Sequence, residues 1–225
     1  MSSSAATTSE AGVLHMQTLG HDKTPISAYL AGLAERTAVP AGGATAALNA
    51  AQAAALLAMT ARYCDGPKHA GHAGTIGSVI AEADRLRQDC VSLMAADGES
   101  YGAVMAAYAL PRDTEERRAA GSEAITAAMV TAAGPPAEVI AAALSLLELA
   151  QVLQPMVNST IAPDVAAAVE ALRAAAGTSR TNVEANLSGI ADPDARSRLA
   201  GAVADVELLE ARAGQVIAAV RARYA

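Results

Sequence analysis

The sequence has no Phe and no Trp, and Tyr occurs only five times in 225 residues. Strands are usually rich in aromatic and β-branched residues, so this scarcity argues against a β-sandwich or a β-barrel. There is also no basic cluster: 16 Lys and Arg stand against 23 Asp and Glu, a net charge of −7. Binding of nucleic acid through a basic face is therefore not expected. An apolar content of 52% argues against a disordered chain.

Cysteine is almost absent as well. Cys64 and Cys90 form no C-x-x-C motif, which argues against a disulfide framework or a cysteine metal site and predicts a cytoplasmic protein. The first residues lack the basic and apolar segments of a signal peptide. We expect a disordered tail over residues 1–23 and one helical domain over residues 24–225.

Alanine is what the chain has in abundance, at 60 of 225 residues. Ala is the best helix former and loses no side-chain entropy on burial, so the composition predicts an all-α protein. The uncharged stretch 37–61 is long enough to span a bilayer. Pro, Gly, Asn and Gln interrupt it, however, so a buried core helix is expected and no membrane contact.

Helix breakers and apolar periodicity divide the domain into segments. They predict helices over residues 26–36, 44–63, 75–108, 113–133, 135–154, 164–187 and from 193 onward. Residues 68–74 are expected to form a loop, and Gly98 and Gly102 are candidate kinks in the long third helix. Short connections between six or seven helices predict an up-and-down bundle of mostly antiparallel neighbours.

Polar residues in this apolar chain mark the candidate sites. A Gly-containing turn at residues 40–47 leads into a helix, whose first N–H groups are able to bind an anionic or carbonyl group. A polar segment, 158–164, ends in Asp164, which has an ordinary alternative role as a helix cap. Asn182 and Asn186 lie one turn apart in an Ala-rich helix, and Asp97 is interior to a long helix. His69 and His72 have no nearby carboxylate or Cys, so no metal site is expected.

Three of these patterns together carry a family resemblance. The matching residues are Pro40, Gly42, Gly43, Ala46, Ala47 and Leu48; Asp97, Tyr101, Val104, Leu110 and Pro111; and Asp164, Asn182, Val183 and Asn186. With this spacing the chain resembles the cyclodeaminase/cyclohydrolase family, which comprises the C-terminal domain of formiminotransferase-cyclodeaminase and stand-alone methenyltetrahydrofolate cyclohydrolases. The sequence departs from the family pattern at Ala41, Ala44, Thr160 and Pro163, where the family has Gly, Ser, Asn and Ser.

The resemblance implies an enzyme of folate one-carbon chemistry. It implies cyclodeamination of 5-formiminotetrahydrofolate or hydrolysis of 5,10-methenyltetrahydrofolate, with the folate as substrate and no tightly bound cofactor. Asp164 or Asp97 is the predicted proton shuttle. The predicted substrate-binding residues are Gly42, Gly43, Thr45, Asn158, Asn182 and Asn186. A homodimer is expected. Two alternatives stay open: a divergent enzyme of the same fold that acts on another amine or imine, and a non-catalytic helical binding protein.

Overall fold

The computed structural model describes residues 24–64 and 66–225, and every regular element in these ranges is a helix. The α-helices are α1 (Ile26–Ala34), α2 (Gly42–Tyr63), α3 (Ala73–Tyr108), α4 (Glu115–Ala132), α5 (Gly134–Leu153), α6 (Ala162–Leu187) and α7 (Pro193–Arg221). A short 3-10 helix, Pro67–His72, lies between α2 and α3. The predicted all-α class is confirmed. The tail predicted for residues 1–23 lies outside the described residues.

Two helices begin at residues whose side chains cap the first turn. The Thr114 side chain accepts a hydrogen bond from the Arg117 N–H at 3.2 Å, at the start of α4. The Asp192 side chain accepts one from the Asp194 N–H at 3.1 Å, before α7. Pro193 follows in the first turn, where its missing N–H has no intrahelical partner to lose.

Three local details differ from the sequence prediction. Residues 68–74 are not an irregular loop, because the 3-10 helix and the first residues of α3 occupy them. α3 continues through Gly98 and Gly102 for 36 residues, about 54 Å at 1.5 Å per residue. Only Ala133, itself in a right-handed helical conformation, separates α4 from α5. α5 therefore continues from α4 almost without interruption, and the two are not an antiparallel pair.

The centre of the bundle is α2, which packs against α3, α5 and α6. Twelve of its 22 residues are buried, and nine of these are Ala. Larger side chains from the surrounding helices, such as Leu146, Leu147 and Leu172, are fully buried in the same core. Since the distance between packed helices depends on the side chains at the contact, an alanine surface allows close approach. The core is thus built on short side chains at its centre and long ones around it.

Two helical stretches, Gly42–Tyr63 and Glu115–Leu153, are long and apolar enough to cross a membrane when judged by length and composition alone. Within their apolar windows, 61% of the first and 50% of the second are buried inside the protein. The burial of α2 accounts for its apolar sequence and agrees with the core helix that the sequence predicts.

Candidate active site

A cavity of about 300 Å³ opens where the segment before α2, the second half of α3, the α4–α5 junction and the end of α6 meet. It is lined by Ala38, Val39, Ala41, Gly42, Gly43, Asp97, Ser100, Tyr101, Val104, Ala132, Pro136, Asn182, Ala185 and Asn186. Its volume lies at the small end of the range for small-molecule sites, roughly 300–1,000 Å³. Five of the eight predicted site residues line it: Gly42, Gly43, Asp97, Asn182 and Asn186.

Asp97 joins α3 to the start of α2. Its Oδ2 accepts a hydrogen bond from the Ala44 N–H at 3.1 Å. The first N–H groups of a helix lack intrahelical partners and are commonly capped by a side chain of the preceding residue. Here the preceding residue is Ala41, which supplies no side-chain cap. A carboxylate from another helix, 53 residues later in the sequence, takes over that role.

The close approach of Asp97 requires glycine at position 43. A Cβ atom added to Gly43 would lie 2.6 Å from Asp97 Oδ2, and closer still to Oδ1 and Cγ. At Gly42 the nearest atom to such a Cβ would be Thr178 Cγ2, at 4.0 Å. The two glycines are therefore not equivalent: Gly43 leaves room for the carboxylate, whereas Gly42 faces more open space.

The environment of Asp97 makes its carboxyl group a weaker acid than a free aspartate side chain. Burial raises the pKa of the carboxyl group, and the hydrogen bond from the Ala44 N–H offsets part of this rise. Asp97 is the one charged side chain among the described residues that line the cavity. A carboxyl group whose pKa has risen from an acidic value towards neutrality is suited to exchange protons with a bound ligand.

A buried tyrosine, Tyr29, is linked through Thr45 to the backbone at the start of α2. The Tyr29 side chain is hydrogen-bonded to Thr45, and the Thr45 hydroxyl donates to the Ala41 carbonyl oxygen at 3.0 Å. Burial, together with the nearby Asp97 charge, raises the pKa of the Tyr29 hydroxyl, while the Thr45 hydrogen bond lowers it. Thr45, predicted to bind substrate, does not line the cavity and instead holds the backbone of the turn.

Asn182 and Asn186 line the cavity from α6, where they lie one turn apart. The Asn186 side-chain amide donates to the Asn182 carbonyl oxygen at 3.0 Å, which fixes the orientation of that side chain. An Asn side chain carries both donors and an acceptor. These two residues therefore offer hydrogen-bonding groups to a polar ligand edge in the cavity that Asp97 also lines.

Asn158 and Asp164 lie at the other end of α6. Asn158 Oδ1 accepts hydrogen bonds from the Thr160 and Ile161 N–H groups, at 2.9 and 3.1 Å, so its side chain stabilises the local turn. Asp164 lies in the first turn of α6, and the helical rise puts it about 27 Å from Asn182. The structure does not bring these two residues to the cavity of the same chain.

Sequence reasoning did not assign Tyr101 or Ser100 to the site, although both line the cavity. The signal for Tyr101 was available, because residues four apart on a helix share a face and Tyr101 follows Asp97 by four. Val39 and Pro136 have no comparable local signal, since they reach the cavity only through the packing of distant segments.

Among the described residues, no group of three His, Cys, Asp or Glu side chains is placed to share a metal ion. His69 and His72 lie in the 3-10 helix, away from the cavity. The two cysteines are buried free thiols, and burial raises the pKa of Cys90 to about 11.

Related proteins are similar to this chain in sequence and in fold. The chain is 30% identical to methenyltetrahydrofolate cyclohydrolase of Methylorubrum extorquens over 168 residues, 74% of this chain and 81% of that protein. It is 27% identical to formimidoyltransferase-cyclodeaminase of Rattus norvegicus over 168 residues, and spans 31% of that longer protein.

Its fold matches that of formiminotetrahydrofolate cyclodeaminase from Thermotoga maritima with a TM-score of 0.81, over 91% of this chain and 99% of the other. At 22% identity this likeness concerns the fold alone. Residues 25–205 match the formiminotransferase-cyclodeaminase family as a whole. The three motifs thus predict the relationship correctly, and the chain belongs to the formiminotransferase-cyclodeaminase family.

Proposed function

We propose that the cavity binds a folate-borne one-carbon unit and that Asp97 transfers the protons of its conversion. The protein is an enzyme of folate one-carbon chemistry, in line with its family and with the cyclohydrolase that is 30% identical to it. Within that chemistry we favour hydrolysis of 5,10-methenyltetrahydrofolate to 10-formyltetrahydrofolate. The chain spans 81% of the cyclohydrolase, which supports this choice.

The observation that carries the proposal is the isolated carboxylate. Asp97 lies partly buried in the cavity, and no basic side chain occurs among the described lining residues. A cationic ligand would complete its charge pairing, and electrostatic attraction is strengthened where water is excluded. The methenyl carbon between N5 and N10 carries such a positive charge. The site therefore suits this substrate better than an anionic one.

The hydrolysis then needs two proton transfers. A water oxygen forms a bond to the methenyl carbon while the Asp97 carboxylate accepts a proton from that water, which gives a tetrahedral intermediate. The bond between this carbon and N5 then breaks, N5 receives a proton from Asp97, and the hydroxyl proton leaves to solvent. A positioned acid/base group of this kind contributes about 10²–10⁴-fold in rate. Substrate and product are at the same oxidation level, so no redox cofactor is required.

Cyclodeamination is the second candidate, because the chain also matches formimidoyltransferase-cyclodeaminases. In that reaction N10 attacks the formimino carbon, ammonia leaves, and the methenyl cation is the product. The Asp97 carboxylate would stabilise the amidinium and the product cation in the same position. The same cavity therefore serves both reactions, which differ in the nucleophile (water or N10) and in the leaving group (N5 or ammonia).

The test follows the near-ultraviolet absorbance of the methenyl group in both directions. Accelerated loss from 5,10-methenyltetrahydrofolate identifies the hydrolase, and appearance from 5-formiminotetrahydrofolate identifies the deaminase. Asp97→Asn is expected to abolish turnover while it retains an acceptor for the Ala44 N–H. Glu99→Gln is the matched control, because Glu99 is exposed on the same helix and does not line the cavity. The proposal is refuted if the protein raises neither of these two rates above that of the buffer control.

Asp164→Asn decides between the two carboxylates predicted from the sequence. Since Asp164 is about 27 Å along α6 from Asn182, we expect turnover near that of the unmodified protein. Loss of turnover in Asp164→Asn together with full activity in Asp97→Asn would overturn the assignment of Asp97.

We also propose a cytoplasmic homodimer. Three large apolar side chains are 42–50% exposed at and just beyond the end of α3, namely Met105, Tyr108 and Leu110, and a second copy would cover them. Two buried, unpaired thiols are compatible with a reducing compartment. Light scattering on Met105→Lys tests the dimer, because a charge in the contact should shift the mass to that of a monomer. An unmodified protein that is already monomeric would refute it, and cell fractionation tests the compartment.

A further inference from the structure

We propose that Tyr101 is the platform on which the planar pyrimidine-type ring of the ligand stacks, and that it makes the cavity selective for ligands that carry such a ring. This inference rests on the proposed function for the identity of the reacting carbon, but not for the stacking itself. It assigns a specificity-determining role to a residue outside the acid/base chemistry.

The position of Tyr101 is unusual for this chain. All aromatic residues of the protein are Tyr, and there are only five. Tyr29 is buried behind the turn, whereas Tyr101 lines the cavity and remains 44% exposed. It is the one aromatic side chain among the described lining residues. An exposed ring at the wall of a cavity provides a face on which another ring gains apolar and stacking contact.

The rest of the cavity leaves room for a flat ligand. Four of the five lining residues from the start of α2 and the segment before it are small, and Val39 is the exception: Ala38, Ala41, Gly42 and Gly43. Short side chains at these positions allow a planar ring to lie close to the backbone. The cavity of about 300 Å³ is small, so it fits a bicyclic ring with its one-carbon unit better than a long flexible tail.

The polar groups around Tyr101 define which ring is selected. The Asn182 and Asn186 amides carry donors and acceptors, which match the amide-like edge of a pyrimidine-type heterocycle. Asp97 lies one helical turn before Tyr101, so their Cβ atoms are about 5–6 Å apart. We therefore expect a ring stacked on Tyr101 to contact Asn182 and Asn186 with its edge and to place its attached carbon near the Asp97 carboxylate.

Two replacements separate the ring face from the hydroxyl group. Tyr101→Phe keeps the ring, whereas Tyr101→Leu keeps apolar bulk and removes the aromatic face. Tyr63→Leu is the matched control, because Tyr63 is an exposed tyrosine at the far end of α2, away from the cavity. Binding is measured by calorimetry with folic acid, which has a flat pterin ring and does not react, and with p-aminobenzoylglutamate, which lacks that ring. Turnover is measured on 5,10-methenyltetrahydrofolate.

We expect folic acid to bind Tyr101→Phe within about threefold of the unmodified protein and Tyr101→Leu at least about tenfold more weakly. The KM for methenyltetrahydrofolate should rise with the Leu variant while kcat changes little, because stacking acts on ground state and transition state alike. Tyr63→Leu should behave as the unmodified protein, and p-aminobenzoylglutamate should not bind measurably.

Other outcomes overturn one conclusion or the other. Equal affinity of Tyr101→Leu and the unmodified protein would refute stacking and leave the proposed reaction standing. An equal loss in the Phe and Leu variants would also refute it, because the hydroxyl rather than the ring face would then hold the ligand. Tyr101-dependent binding of folic acid without any turnover would support stacking and refute the reaction. Failure of the unmodified protein to bind any pterin would refute both.

Discussion

Replacement of Gly43 by Ala tests the contact on which the candidate site depends. An added Cβ would lie 2.6 Å from Asp97 Oδ2 and closer to the other two carboxylate atoms, whereas ordinary contacts are about 3.5–4.0 Å. The Asp97 side chain must therefore leave its position, and the hydrogen bond that caps the Ala44 N–H is lost.

Two opposing effects set the magnitude. A hydrogen bond to a charged group contributes about 1.5–3 kcal/mol, and Gly→Ala in a helix returns about 0.5–1 kcal/mol. We therefore expect the free energy of unfolding to fall by about 1–2 kcal/mol. Turnover should fall by about 10²–10⁴-fold, the contribution of a positioned acid/base group.

The assay combines urea unfolding, followed by circular dichroism, with turnover of the methenyl substrate. Gly77→Ala is the control, because a Cβ at Gly77 on α3 meets nothing within 4 Å. It makes the same chemical change and should leave turnover unchanged with equal or higher stability. The decisive comparison repeats Gly43→Ala in an Asp97→Ala background, where the clash is absent. If the change costs the same free energy in both backgrounds, the reasoning about this contact is refuted.

Three further predictions follow from single residues. Folding raises the pKa of Asp97, so its contribution to stability is present below the ordinary carboxyl pKa of ~3.9 and is lost as pH rises through the folded value. The unfolding free energy of the unmodified protein relative to Asp97→Asn should therefore decline over that pH range, and a constant difference would contradict this. Ser179 is buried, and its hydroxyl has no hydrogen-bond partner among the described residues. Ser179→Ala should thus leave the unfolding free energy unchanged or raise it by about 1 kcal/mol, whereas a loss in urea unfolding would show an unrecognised partner. Asn158→Ala removes the acceptor for two backbone N–H groups and should lower stability by about 1 kcal/mol with KM unchanged; a large rise in KM would instead support its predicted role in substrate binding.

The sequence predicts the fold well where local chemistry decides the structure. Thr114 and Asp192 mark helix starts because their side chains cap the following N–H groups, a property that depends on neighbouring residues alone. The continuity of α3 through Gly98 and Gly102 could not be predicted in this way. Each Gly costs about 1 kcal/mol in a helix, and the packing of α3 against α2, α4 and α5 offsets this cost.

The site divides along the same line. Asp97, Asn182 and Asn186 stand out as polar residues in apolar helices, and the structure brings them to one cavity. Asp164 belongs to the same family motif as the two Asn residues, but 18 helical residues separate it from Asn182, so nearness in a motif is not nearness in space. The Thr45 hydroxyl donates to the carbonyl group four residues earlier, as Thr often does in helices, and Thr45 does not line the cavity.

The alanine core of α2 also changes how the protein should be mapped by mutation. A conventional alanine scan gives no information on most of the buried face of α2, because residues such as Ala46, Ala50 and Ala53 are already Ala and are fully buried. The informative scan increases side-chain size, from Ala to Val or Leu. It reports where the neighbouring backbones leave no volume for an added methyl group. Overpacking of this kind typically costs about 1–3 kcal/mol per site. Sequence variation at the centre of this bundle is accordingly constrained by a maximum side-chain size, the reverse of the minimum that most hydrophobic cores impose.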